Sequence, residues 1–240
     1  MNPRAVAAGV CVVGTDTGVG KTLVACALLR RLRREGARAL AMKPVAAGAR
    51  QDRDGRHSDD ARALRAASGI EVPDELMNPY LFAAPISPHL AARHEGVEID
   101  LEVIARRFGE LAALGDAVVV EGAGGFCVPL TDRLTGADLA QALGLPLMLV
   151  VGLRLGCLNH ALLTAEAIAA RGLEFAGWVA NTVDPEMAAL HENVETLRTR
   201  LAAPCLGVLP WLPVADAEAA AERIAIPPAL AARLPSASPR

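Results

Sequence analysis

The residues Gly14-Thr15-Asp16-Thr17-Gly18-Val19-Gly20-Lys21-Thr22 put backbone freedom, one cation and several hydroxyls into a single short stretch. That combination suits an anion. Loop N–H groups and the unpaired N–H groups of a following helix can converge on a phosphate. Gly20 lets the backbone approach closely, Lys21 would place a point charge on the β- and γ-phosphates, and the Thr22 hydroxyl would hold Mg²⁺. The usual phosphate-loop pattern is G-x-x-x-x-G-K-[ST]. Here the loop is one residue longer, with Thr15 standing where the first glycine is expected.

Other residues with chemical potential lie further along. Glu121 follows four apolar residues and precedes the glycine-rich Gly122-Ala123-Gly124-Gly125. A carboxylate there, beside a bound nucleotide, would hold Mg²⁺ directly or through water. Lys43 ends an apolar run, and lysines are rarely buried without a partner. It is either a second cation beside the phosphates or a lysine reaching along the surface to water. Asp59 and Asp60 begin a helical pattern, and either could cap it or take part in a metal site. His89, in Ser87-Pro88-His89, is a lone loop histidine and carries no role. No Ser-His-Asp arrangement and no zinc spacing is legible.

Strand and helix patterns alternate around these residues. Strands are expected at Val6–Gly14, Ala39–Val45, Ala117–Val120, Leu147–Val151, Ala176–Asn181 and Leu206–Leu209. Helices are expected at Thr22–Glu35, Asp60–Ser68, Leu101–Leu114, Gly136–Leu143, Leu158–Arg171 and Pro185–Leu201, with a helical alanine run from Ala215. Ala46–His57 and Glu121–Pro129 read as loops, Pro73 to Pro88 as an irregular region, and Ser236–Arg240 as a frayed tail. Continuous apolar strands joined by helices imply an α/β fold with a mostly parallel sheet covered on both faces. No repeat or linker divides the chain, so one domain over residues 1–235 is expected. Ligands of such sheets bind beyond the carboxyl ends of the strands. The phosphate loop, Lys43, Glu121, Asn159, Asn181 and the Pro210-Trp211-Leu212 stretch all follow strands, so they should share one edge.

Composition narrows the function. The 240 residues suit one or at most two α/β domains, and the net charge of −3 gives no general attraction to nucleic acid or anionic membrane. The basic cluster Arg30-Arg31-Leu32-Arg33-Arg34 complements a helix C-terminus. The apolar run around Leu143–Leu153 is broken by Gly144, Pro146 and Gly152, too short and interrupted to span a bilayer. Five scattered cysteines without a Cys-x-x-Cys pair fit reduced thiols in a cytoplasmic protein. From residues alone, the class is a phosphate-loop nucleotide triphosphatase or nucleotide-dependent transferase.

A family resemblance carries this further. Gly14-Thr-Asp-Thr-Gly-Val-Gly-Lys-Thr22, Lys43-Pro-Val-Ala-Ala-Gly48, Asn78-Pro-Tyr80, Ser87-Pro-His89, Glu121-Gly-Ala-Gly-Gly125, Gly156-Cys-Leu-Asn-His160, Gly177-Trp-Val-Ala-Asn181 and Pro210-Trp-Leu212 occur in the order seen in dethiobiotin synthetases. The chain resembles that family from its first strand to about Leu212, the longer phosphate loop included. The resemblance implies a single-domain phosphate-loop NTPase-like fold and an ATP-dependent cyclo-ligase. Its substrates would be 7,8-diaminononanoate, CO₂ (or bicarbonate) and MgATP, joined through a carbamate and a carbamic–phosphoric anhydride. It also implies a cytoplasmic homodimer.

The resemblance assigns roles as follows. Gly18, Val19, Gly20, Lys21 and Thr22, with Glu121 and Gly122, would hold the nucleotide. Thr22, Asp60 and Glu121 would hold the metal, which settles the choice between Asp59 and Asp60. Thr17 and Lys43, with Lys21, would serve the chemistry, and Thr17, Lys43 and Ala47 would line the diamine site. Asn181 would read adenine, with Pro210 and Leu212 walling the base. Gly156 and Asn159 would reach the diaminononanoate carboxylate across a dimer interface. Gly18 stands where a well-known form of the family has Glu, and Ala47 where it has Ser. Two other readings are an amidating synthase, whose additional glutaminase domain has no room here, and a switch ATPase, whose second loop lysine has no counterpart among Thr15, Asp16 and Thr17.

Overall fold

The computed structural model describes residues 8–53 and 55–234. The expected strand start at Val6 and the expected frayed tail Ser236–Arg240 lie outside them. The elements in order are β1 (Ala8–Gly14), α1 (Lys21–Arg34), β2 (Ala39–Met42), β3 (Val45–Ala47), β4 (Arg50–Asp52), β5 (Gly55–His57), α2 (Asp59–Ser68), α3 (Asp74–Met77), β6 (Tyr80–Phe82) and α4 (Pro88–His94). There follow α5 (Leu101–Ala112), β7 (Ala117–Glu121), α6 (Gly136–Leu143), β8 (Leu147–Leu153), α7 (Cys157–Ala170), β9 (Phe175–Thr182), α8 (Leu190–Arg200), β10 (Cys205–Leu209), α9 (Ala217–Ala221) and α10 (Pro228–Ala231).

The main sheet has the order β10-β9-β8-β1-β7-β2, and every neighbouring pair in it is parallel. β1, β7 and β8 are buried along their whole length. That is why they read as unbroken apolar runs rather than alternating ones. Each buried Val or Leu removes enough apolar surface to contribute about 1.5–3 kcal/mol. α1 packs against α2 and α9 on one face, while α5 packs on α6 and α7 on α8. Right-handed crossovers place the latter group on the other face, because the chain moves one way from β1 to β2 and the opposite way from β7 to β8. The reversal occurs beside β1, so the crevice at its carboxyl end is the topological switch point.

Four expectations are corrected. The second strand stops at Met42 instead of Val45, because Pro44 cannot donate to the ladder and the chain turns away to pair Val45 with Tyr80 in a separate two-stranded sheet. Ala46–His57 is not a plain loop but contains the antiparallel hairpin β4–β5, with Arg50 opposite His57. Its residues are mostly exposed on both faces, so no buried side imposes an alternating pattern. The Pro73–Pro88 region holds α3, β6 and the start of α4, with Pro88 in the first helical turn, where its missing N–H costs nothing. The expected Pro185–Leu201 helix begins only at Leu190, after Ala189 adopts a left-handed φ of 53°.

Candidate active site

The phosphate loop leaves β1 at Gly14 and enters α1 at Gly20, whose φ of 90° lies in the left-handed region. A Cβ on Gly20 would stand 2.2 Å from the Asn181 amide nitrogen, so glycine is demanded twice, by backbone and by space. The first turn of α1 has no side-chain cap and no acidic residue. Its N–H groups are left to an anion. Lys21 is buried and folds back, its Nζ donating to the Asp16 carbonyl at 2.9 Å. Burial, then the neighbouring Lys43, brings its ammonium down to about 8, against the opposing pull of Glu121, Asp60 and Asp16. A phosphate arriving there would replace a single carbonyl with charged oxygens.

The next residue opens a second cluster. Thr22 Oγ1 lies 3.0 Å from Asp60 Oδ1 and 2.9 Å from Glu121 Oε1. Lys43 Nζ lies 2.8 Å from Asp60 Oδ2 and 2.6 Å from Glu121 Oε1. Glu121 is only 1 % exposed and Lys43 only 4 %. Burial alone would lower the Lys43 ammonium, but the Glu121 and Asp60 carboxylates outweigh it and hold it above its usual range. Burial pushes Asp60 upward, and Lys43 with Thr22 brings it below the usual carboxylate range. Lys43 and Asp60 are therefore held as a charged pair, and a buried lysine is tolerated only because it has carboxylate partners.

Local structure explains why these groups meet. Ser58, not an aspartate, caps α2, accepting the Ala61 N–H at 3.3 Å. That leaves Asp60 free to turn toward Thr22 and Lys43, while Asp59 pairs with Arg50 at the surface. Lys43 has its own backbone clamped: its N–H donates to Met77 O at 2.7 Å, and Asn78 Nδ2 donates to its carbonyl at 2.7 Å. Sequence reasoning gives neither Ser58 nor Asn78 a functional role. Ser58 does leave a signal, since serine directly before a helical run is a favoured cap, whereas Asn78 acts on a backbone carbonyl that no residue type or spacing marks.

The oxygen set suits a hard divalent cation. Thr22 offers a hydroxyl, Asp60 and Glu121 offer carboxylates, and Glu121 Oε2 is buried with no hydrogen-bond partner among the described residues. No group of three or more His, Cys, Asp or Glu side chains among those residues could cage a metal. Mg²⁺ rarely needs such a cage, since it keeps waters and phosphate oxygens as ligands.

Beside the cluster lies a cleft of about 420 Å³. Thr17, Lys43 and Asp60 line one part of it, Ser87 adds a hydroxyl, and Val45, Ile86 and Val128 are among its apolar walls. Ala47 lines it as well. Gly18 is exposed at the loop's turn, with φ 74° and nothing within 4 Å of where a Cβ would sit. Val19 is buried, and its carbonyl accepts from Asn181 Nδ2 at 2.9 Å, which leaves the Asn181 amide oxygen for another partner. Gly122 begins the glycine-rich loop and donates its N–H to Val12 O.

Four candidate residues lie away from this cleft. Pro210 is exposed beyond β10, and Leu212 lines a different groove with Cys26 and Arg30 of α1. Gly156 caps α7 with a left-handed φ of 94°, and Asn159 is exposed on its first turn. His89 faces a separate groove with Arg93 and Asp132, apart from the Lys43 cleft. All five cysteines are free, and burial lifts the Cys11 and Cys26 thiols to about 12, so neither supplies a ready thiolate. No helix among the described residues is long and apolar enough to cross a membrane.

Comparisons with known proteins agree with this geometry. Two structures of the cell division protein MinD share the fold. One, from Aquifex aeolicus, has a TM-score of 0.54 at 15% identity over 86% of this chain and 84% of that one. The other, the septum site-determining protein MinD complexed with Mg-ADP from Pyrococcus horikoshii, has a TM-score of 0.53 at 16% identity over 85% and 82%. At such identities the likeness concerns architecture alone, a phosphate-loop NTPase fold. A family model described as an AAA domain matches residues 8–219. The ATP-dependent dethiobiotin synthetase BioD of Aromatoleum aromaticum is 55% identical over 214 residues, 89% of this chain and 95% of the relative. That of Ralstonia nicotianae is 54% identical over 220 residues, 92% and 96%. A phosphate loop joined to a lysine–carboxylate cluster, with near-full-length identity of this order, makes the chain a member of the ATP-dependent dethiobiotin synthetase family.

Proposed function

We propose that this chain closes a cyclic urea on 7,8-diaminononanoate, using CO₂ and MgATP and releasing dethiobiotin, ADP and phosphate. One amine of the diamine adds to CO₂ and loses a proton, giving a carbamate. A carbamate oxygen attacks the γ-phosphoryl of ATP, breaking its bond to ADP and forming a carbamic–phosphoric anhydride. The second amine attacks the carbonyl carbon, and phosphate leaves with the bonding pair. Little acid–base machinery is needed, since catalysis is mainly positioning and charge neutralisation.

The observation that carries this reading is a shared cluster. Lys43 and Asp60, which line the cleft together with Thr17, also meet Glu121 and the Thr22 hydroxyl at the start of α1, directly after the phosphate loop. Lys21 would leave the Asp16 carbonyl for the β- and γ-phosphates. Lys43 would present a fixed positive charge where the phosphoryl group is transferred. Thr22, Asp60 and Glu121 would hold Mg²⁺, which neutralises phosphate charge when bound. Ala47 and Thr17 would border the diamine. Asn181 would read adenine through its remaining amide oxygen, with Pro210 and Leu212 as the wall of the base site. Gly18, Val19, Gly20 and Gly122 would supply backbone at the phosphates. Gly156 and Asn159, exposed and away from their own cleft, would serve a second copy's diaminononanoate in a homodimer. We read residues 1–235 as one domain and the protein as cytoplasmic.

Phosphate release from MgATP, measured with and without 7,8-diaminononanoate plus bicarbonate, tests the reading. Release that needs both, with a ring-closed product by mass, is expected. Release indifferent to the diamine would overturn it in favour of a switch ATPase.

A further inference from the structure

The phosphate loop carries a carboxylate as well as its lysine. Asp16 sits between Thr15 and Thr17, where an incoming triphosphate would be repelled by an unneutralised negative charge. Arg154, in the turn between β8 and α7, pairs its Nη2 with Asp16 Oδ2, across 138 positions of sequence. The other Asp16 oxygen accepts the Thr17 N–H at 2.7 Å. The carbonyl of that same peptide unit accepts Lys21 Nζ. The Asp16–Thr17 peptide is thus held at both ends. The loop's base is tied to β8 as well, through Thr15 N–H to Val150 O at 3.1 Å.

We propose that Arg154 is a positioning residue for nucleotide binding: it neutralises Asp16 and fixes the Asp16–Thr17 peptide from which Thr17 and Lys21 take their places. Both partners are partly exposed, at 43 % and 44 %. As an isolated surface pair they would matter little. Their weight comes from the shared carboxylate and from the anion that binds beside it. The inference rests on the loop being the nucleotide site, but not on what the diamine site accepts.

The test is MgADP affinity by titration calorimetry, which needs neither diamine nor bicarbonate. Arg154→Ala is expected to weaken MgADP about fivefold, and Arg154→Lys to restore most of it. In the Asp16→Asn background, where Thr17 keeps an acceptor but the charge is gone, Arg154→Ala should cost less than about twofold. In turnover, the KM for MgATP should rise most in Arg154→Ala, with smaller changes in kcat and in the diamine KM because Thr17 shares the held peptide. An unchanged affinity, an equal loss in both backgrounds, or a fall in kcat alone would overturn the proposal. A wild-type protein that binds MgADP yet forms no ring product would overturn the proposed reaction, while the role of Arg154 would still be decided by the affinities. One that fails to bind MgADP would overturn both.

Discussion

Two regions of this molecule both pair cations with carboxylates and behave differently. At the carboxyl ends of β1, β2 and β7, Lys43, Asp60 and Glu121 meet with Thr22 in a site where the lysine and glutamate are almost wholly buried. Across the β4–β5 hairpin, Arg50 pairs with Asp59 and Arg62 with Asp52, all at the surface. Water and salt screen the second set, and such pairs contribute about 0–1 kcal/mol. In the first set Lys43 and Glu121 are out of reach of water, with Asp60 half-exposed at the cleft beside them. Removing one member there strands the others, which costs about 3–5 kcal/mol. Charge count alone says nothing about which region matters. What the strand ends do to their surroundings decides it.

The sharpest way to break that comparison is Lys43→Met, which keeps much of the side-chain volume and removes the charge. It leaves two carboxylates facing each other. Stability should fall by about 3 kcal/mol in a denaturant titration, and kcat by about 10³-fold. A turnover within about tenfold of wild type would show that the cluster is not part of the chemistry. Next in size is Gly20→Ala. The left-handed backbone and the 2.2 Å approach of Asn181 both oppose a methyl group there. About 1–3 kcal/mol of strain should appear as weaker MgADP binding, read by calorimetry. Smallest is Arg50→Ala in the hairpin. Its pair with Asp59 is well exposed, with Arg50 at 73 %. Stability should move by less than about 0.5 kcal/mol, with turnover unchanged. A large loss of activity there would erase the contrast between the two regions.

Much of the fold and the site is legible in the sequence, and the reasons differ by residue. The strand–loop–helix unit at Gly14–Thr22 is a local pattern, readable because its glycines, lysine and hydroxyl act within a few residues of each other. Gly136–Leu143 is readable to the residue, since Thr135 and Asp138 form a capping box at one end and Gly144 stops the other. Asp60 emerges only from family likeness, because local reading leaves it tied with Asp59. Ser58 has the residue type of a cap but competes in sequence with Asp59 and Asp60, which can cap as well, while β4–β5 as a pair of strands escapes a reading of the sequence. Short segments exposed on both sides carry no periodic signal. Asn78 belongs to a family motif but gains its role only in the fold, because its bond is to a backbone carbonyl that sequence does not single out.

The sequence by itself determined the phosphate loop, the alternation of strands and helices, the parallel sheet and the family. Each of these depends on neighbours within one element or on ordered motifs. Only the tertiary structure decided the strand order around β1, the clamp on Lys43 and the meeting of Lys43 with Glu121 across 78 positions. It alone decided the pairing of Asp16 with Arg154. Those contacts exist because parallel strands deliver their ends to one edge, and chain distance leaves no trace of which ends will be adjacent.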